Sequence, residues 1–204
     1  MLTKPELSRH LATSEALVVG ASAGATRALT ELLPSVPQGA RIPVVIVVHL
    51  PPNRPSLFPE LFGPRCAVPV REPEDKQPVG AGTIWFAPSN YHLLVEANRT
   101  FSFSLDEPVN FSRPSIDVLF ESAAEAFGNK LCAIVLTGAN EDGALGASAI
   151  RRRGGLVVVQ APETAQAKQM PSAAVSRANP QIIASLPEIA EIIQQATLPI
   201  QGTS

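Results

Sequence analysis

Ala16-Leu17-Val18-Val19-Gly20-Ala21-Ser22-Ala23-Gly24 is the stretch on which the fold turns. Residues 16–19 are apolar and read as a short strand ending at Gly20; the small residues after it let the chain bend sharply. A helical pattern follows over 26–33, with Leu29, Leu32 and Leu33 on one face and Pro34 closing it. Further along, Val44–Val48 is β-branched throughout, as suits a strand covered on both faces of a parallel sheet. The alternation resumes with Ser115 as a helix N-cap before a stripe of Ile116, Leu119, Ala123 and Phe127 that stops at Gly128. A strand over 131–136, a helix over 144–153, a strand over 156–159 and a helix near 187–196 complete the series. The loop-rich middle, 51–110, holds strands at 83–87, 92–96 and 100–104, the last two flanking the hairpin turn Ala97-Asn98-Arg99. The pattern predicts one α/β domain: a doubly wound, mostly parallel sheet with helices on both faces and a hairpin in its middle region. Its expected bounds are 14–196, after a polar N-terminal segment (1–13) and before a C-terminal tail (197–204).

The 204 residues are 45% hydrophobic and 17% charged, with a formal net charge of −2. A balance so near neutral argues against a nucleic-acid binder working through phosphate neutralisation. Arg151-Arg152-Arg153 is the only basic cluster and suits a helix end. The apolar runs stay far short of the ~20 residues of a membrane span, and no signal-peptide pattern opens the chain. Cys66 and Cys132 are too few for a disulfide framework or a zinc site, so a cytoplasmic protein is expected, with Cys132 a small buried hydrophobe. Prolines number 20 and fall between the apolar runs, where they punctuate loops.

In a doubly wound sheet, ligands bind beyond the carboxyl ends of the strands. After the first strand stands Ser22 among small residues, a position suited to a nucleophile near a helix N-terminus, but equally to an N-cap or a phosphate loop. The phosphate-loop reading lacks the P-loop lysine and the G-x-G-x-x-G spacing. After the second strand stands His49, one of three histidines; His10 lies in the polar segment, leaving His49 and His92 as candidate bases. After strand 131–136, the loop Thr137-Gly138-Ala139-Asn140-Glu141-Asp142-Gly143 carries Asp142, either an acid or an N-cap. Jointly these are the members of a Ser–His–Asp triad. The order Ser, acid, His would require Ser22–Asp75–His92, with Asp75 far from any strand end; Ser22–His49–Asp142 is preferred.

At these residues the chain resembles the catalytic domain of the chemotaxis protein-glutamate methylesterases, the CheB family. The matching segments are Val18-Val19-Gly20-Ala21-Ser22-Ala23-Gly24, Val47-Val48-His49-Leu50-Pro51-Pro52, residues 84–92, Arg113-Pro114-Ser115-Ile116-Asp117-Val118-Leu119-Phe120, Leu136-Thr137-Gly138 with Asp142-Gly143-Ala144, and Gln169-Met170-Pro171. They occur in family order from about residue 14 to 195. The resemblance implies a serine hydrolase that demethylates glutamate methyl esters, and also deamidates glutamines, on the cytoplasmic signalling domain of methyl-accepting chemoreceptors. It implies Ser22 as nucleophile, His49 as general base and Asp142 as the residue orienting His49, with no metal or organic cofactor. The backbone N–H groups of Ala23 and Ala139 become oxyanion candidates, and His92 and Arg113 candidates for the border of the receptor groove.

The chain departs from the family pattern at several places. Ser22-Ala23-Gly24-Ala25 stands where Ser-Thr-Gly-Gly is usual, Val48 where Gln is usual, and Gly138-Ala139-Asn140-Glu141-Asp142-Gly143 where Gly-Met-Gly-x-Asp-Gly is usual. A backbone donor survives a side-chain change, and Asn tolerates positive φ. Activity is therefore expected, while a non-catalytic CheB-like binding module in a chemosensory system is the alternative. Only fifteen residues precede Ala16, too few for the receiver domain typical of the family. Regulation is therefore expected from a separate receiver or kinase protein in trans, with no nucleic-acid partner and no membrane insertion.

Overall fold

In a computed structural model describing residues 2–50 and 54–199, seven strands form one sheet in the order β3-β4-β2-β1-β7-β8-β9. The strands are β1 (Ala16–Ala21), β2 (Val44–Val48), β3 (Val70–Arg71), β4 (Ile84–Phe86), β7 (Leu131–Val135), β8 (Leu156–Gln160) and β9 (Ile182–Ala184), and every pairing among them is parallel. An antiparallel hairpin, β5 (His92–Val95) with β6 (Phe101–Ser104), stands apart from the sheet and turns where the sequence places the turn. The helices are α1 (Lys4–Thr13), α2 (Ala25–Leu32), α3 (Phe58–Phe62), α4 (Ile116–Phe127), α5 (Ala144–Arg152), α6 (Gln169–Ala178) and α7 (Leu186–Thr197).

The strands read as continuous apolar runs because alternate side chains enter different cores. Leu17, Val19, Val44, Ile46, Cys132, Ile134, Leu156 and Val158 pack on one face with α2, α7 and Leu11 of α1. Val18, Val45, Val47, Ala133, Val135, Val157 and Val159 pack on the other with α4, α5, α6 and the hairpin. The layers are helix, sheet, helix. Cys132 lies fully buried, and burial pushes its thiol up to about 12.

Five elements differ from the sequence expectation. Segment 1–13 is not merely polar: Thr3 and Glu6 form a capping box, and Leu7 and Leu11 set one turn apart pack onto the core beside α7. Helix α3 is five residues long, too short for a periodic signal, and its Phe58 and Phe62 rings stack on Phe86 at 4.9 and 5.8 Å. Helix α6 anchors through Met170, Ala174 and Ala178, a spacing of four whose small alanines give little apolar contrast. Strands β3 and β9 are two and three residues long and half exposed, below the length at which alternation shows. Pro51 and Pro52 of the second matching segment, and residues 200–204 of the tail, lie outside the described residues. Among the described residues no helix is long and apolar enough to cross a membrane.

The sheet order places the site. The chain leaves β1 for β2 on one side and returns to β7 on the other, so three adjacent strands deliver their loops to one crevice.

Candidate active site

Ser22 follows β1 directly. Its N–H donates to the Thr137 carbonyl at 2.9 Å, and its own carbonyl accepts from the Ala25 N–H at 2.9 Å. The N-cap of α2 is Gly24, not Ser22, and φ there is +86°. A Cβ at Gly24 would also stand 2.9 Å from Gln166 Cβ, so this turn requires glycine twice over. Thr137 fastens the turn to its neighbours: its hydroxyl donates to the Ala23 carbonyl at 2.8 Å and accepts from the Ala167 N–H at 2.9 Å.

His49 follows β2, with its N–H on the Ala21 carbonyl at 3.2 Å. Its Nε2 lies 2.7 Å from Asp142 Oδ2, and the Asp142 side chain is wholly buried. Asp142 does not cap the helix that follows it; Gly143, at φ +92°, holds that place. The carboxylate instead meets the N-terminus of α4, which packs beside α5 on the same face of the sheet. It accepts from the Ile116 N–H at 2.7 Å, the Asp117 N–H at 3.1 Å and the Ser115 hydroxyl at 2.8 Å. The Asn110 amide and the Gly143 N–H add bonds at 3.2 and 3.1 Å. Burial pushes this carboxyl up, but the bonds from His49, Ile116 and Asp117 outweigh it and hold Asp142 below the usual carboxylate range.

Ser22 and His49 border two cavities. One, of about 570 Å³, is lined also by Ala23, Ala139, Asn140, Asn110 and Phe111. The other, about 700 Å³, lies toward Arg27, Thr30, Phe58 and Gln166. Among the described residues, neither the Ala23 nor the Ala139 N–H donates to a protein acceptor, and both residues are exposed. Asn140 turns its side-chain oxygen onto the Asp142 N–H at 3.2 Å, bracing the loop that carries the acid.

The two groove candidates bond to the protein's own backbone. His92 is 1% exposed, its Nδ1 accepting from the Ser115 N–H at 3.2 Å and its Nε2 3.1 Å from the Glu107 carbonyl. Both ring nitrogens are spent on backbone, so His92 holds the start of α4. Arg113 donates to the carbonyls of Leu105 and Asp106, tying down the segment after β6. Asp75 pairs with Lys76 and accepts from the Phe103 N–H beside the hairpin, which removes the order Ser22–Asp75–His92.

Four residues bearing on the site escaped the sequence reading of its chemistry. Ser115 stands at the N-cap of α4 as expected, yet its hydroxyl serves Asp142 instead of its own helix. Thr137 and Asn110 act as ties. Asp117, buried in the first turn of α4, accepts from the Gly146 N–H at 2.7 Å and from Asn110 at 3.2 Å. Burial pushes Asp117 up to about 6, opposed by the Gly146 bond and reinforced by the charge of Asp142. An acid in a first turn and an Asn before a Phe are weak signals, and they point at no partner. Among the described residues no cluster of three His, Cys, Asp or Glu side chains is placed to hold a metal ion.

Residues 17–193 match the family described as CheB methylesterase. A Leptospira interrogans protein, provisionally named protein-glutamate methylesterase/protein-glutamine glutaminase, is 45% identical over 178 residues, covering 87% of this chain and 92% of its own. A Trichodesmium erythraeum protein-glutamate methylesterase/protein-glutamine glutaminase is 38% identical over 72% of this chain and 42% of its own length. The chain thus spans about nine tenths of the first relative and under half of the second. The crystal structure of the Thermotoga maritima CheB methylesterase catalytic domain superposes with a TM-score of 0.84 at 28% identity, covering 89% of this chain and 98% of that one. By fold, by matched length and by its relatives, the chain belongs to the CheB methylesterase family.

Proposed function

We propose that the protein is a serine hydrolase that removes methyl groups from glutamate methyl esters on the cytoplasmic signalling domain of methyl-accepting chemoreceptors, and deamidates glutamines there. The observation that carries this reading is the 2.7 Å His49–Asp142 bond beside a cavity that Ser22 and His49 share. With Nε2 held by the acid, Nδ1 is the ring nitrogen left to take the Ser22 proton. The Ser22 oxygen attacks the ester carbonyl, and the Ala23 and Ala139 N–H groups stabilise the oxyanion. His49 returns the proton to the leaving methanol. A water then attacks the acyl-enzyme, again through His49, and the free glutamate departs. Asp142 fixes the imidazole tautomer and stabilises its charged form. Deamidation follows the same path with ammonia as the leaving group. Control by a separate receiver or kinase protein belongs to the same proposal.

The test is methanol release from carboxyl-methylated chemoreceptor membranes, with wild type against Ser22→Ala, and fluorophosphonate labelling alongside. Release and labelling by wild type alone are expected. Labelling absent in the wild type would rule out an activated serine.

A further inference from the structure

Phe111 combines two unfavourable features. It is 102% exposed, more than any other large apolar side chain described, and its φ is +62°, directly after Asn110 at φ +50°. Val109 and Ser112 exchange backbone bonds at 3.2 and 2.9 Å around the pair, which makes a two-residue turn with both central residues left-handed. Such a turn favours Asn at its first position and Gly at its second. Asn110 fits that preference. A bulky aromatic in the second position does not, since it meets steric cost in the backbone and leaves a full ring in water.

The turn is also fixed in place. Asn110 Nδ2 bridges Asp142 Oδ1 and Asp117 Oδ2 at 3.2 Å each, and the Asn110 carbonyl accepts from Asn140 Nδ2 at 3.4 Å. The ring therefore stands at a set position on the rim of the cavity that Ser22, His49, Ala23 and Ala139 line. Among the described residues none covers the ring, so its use lies in what enters the cavity. On the same segment Leu105 and Val109 are exposed as well, at 65% and 36%.

Resting on the esterase reading above, we propose that Phe111 is a specificity-determining residue: its ring packs on an apolar side chain beside the esterified glutamate in the protein substrate. The enzyme then selects the ester within a segment that carries an aliphatic neighbour, and disfavours an isolated glutamate ester.

The experiment compares steady-state hydrolysis of the carboxyl-methylated chemoreceptor cytoplasmic domain with that of p-nitrophenyl acetate, which has no neighbouring residue to read. In Phe111→Ala the KM for the receptor domain rises about 10- to 30-fold, as losing one large apolar contact predicts, while kcat falls little. The loss on p-nitrophenyl acetate stays below about threefold. Phe111→Leu recovers most of the receptor KM. Phe111→Gly loses receptor affinity like Ala, yet gains about 2–4 °C in Tm, because glycine accepts the left-handed backbone. A receptor KM unaltered in Phe111→Ala overturns the proposal alone. Equal losses on both substrates overturn it too, since they would mark a turn that merely braces Asp142. No hydrolysis of the receptor domain by the wild type overturns the esterase reading and this inference with it.

Discussion

Replacing Asp142 with Asn tests the site most severely, because the carboxylate accepts six hydrogen bonds while wholly buried. Asn offers one oxygen and one NH2 group, so in either orientation the NH2 faces donors. If it replaces Oδ1 it opposes Ser115, Asp117, Asn110 and Gly143; if it replaces Oδ2 it opposes only His49 and the Ile116 N–H. The second is the milder arrangement. It leaves the Ile116 N–H buried without an acceptor, at about 1–3 kcal/mol. It also removes a negative charge from the N-terminus of α4, at up to ~2 kcal/mol in a buried setting. Together these come to about 2–5 kcal/mol, or a fall in Tm of roughly 5–15 °C. Catalysis suffers separately. Facing an NH2 group, His49 Nε2 becomes an acceptor and the ring proton moves to Nδ1, the atom that must receive the Ser22 proton. A loss of about 10⁴ in kcat follows. Calorimetry and the methanol-release assay read the two effects on one preparation. A folded Asp142→Asn protein keeping activity within tenfold of wild type would refute the tautomer argument, whatever its Tm.

Two more outcomes follow from α4. Asp117 is pushed up to about 6 in the folded chain from an ordinary 3.8, so between those values the native state holds more protons than the unfolded one. Its contribution is fully present below about 3.8 and is lost as pH rises through about 6, a fall that urea titration across that window reads; Asp117→Asn should lack that slope, and an identical slope in the variant would refute the assignment. Asp142, held low, acts with the opposite sign in a separate window: its contribution is present above 3.8 and is lost as pH falls through its lowered pKa. Gly146→Ala should destabilise by about 1–3 kcal/mol in spite of alanine's helix preference, because the new Cβ would stand 2.4 Å from Phe120 Cβ and 3.1 Å from the Asp117 carbonyl. A higher urea midpoint in that variant would mean that α4 and α5 are not in contact.

The sheet was readable because its central strands are long enough to print a pattern. Val44–Val48 and Leu131–Val135 are buried on both faces and show as unbroken apolar runs. Placing Ser22, His49 and Asp142 after three strands needed only local reading and the strand-end rule. That those strands are neighbours comes from pairing at a distance, Leu17 with Val44 and, more than a hundred residues on, Ala16 with Leu131. What the sequence hid is the way α4 points its first turn at the carboxylate. Ser115, Asp117 and Asn110 look like a cap, a first-turn acid and a turn residue, and their partner lies 25 to 32 positions away. His92 misled for the opposite reason. Its side chain suggests chemistry, and only burial reveals that both ring nitrogens hold backbone.

The flanks of the sheet carry a consequence for how the protein behaves in a crowded solution. A strand at the border of a sheet offers unpaired backbone groups that a foreign chain can extend. Here the borders are β3, two residues lying between Pro69 and Pro73, and β9, three residues lying between Pro180 and Pro187. An incoming strand finds only about 7–10 Å of ladder on either side before a proline interrupts it. Four of the 20 prolines thus work as two pairs of end-stops. The molecule can keep an apolar parallel centre without recruiting its own copies into a growing sheet.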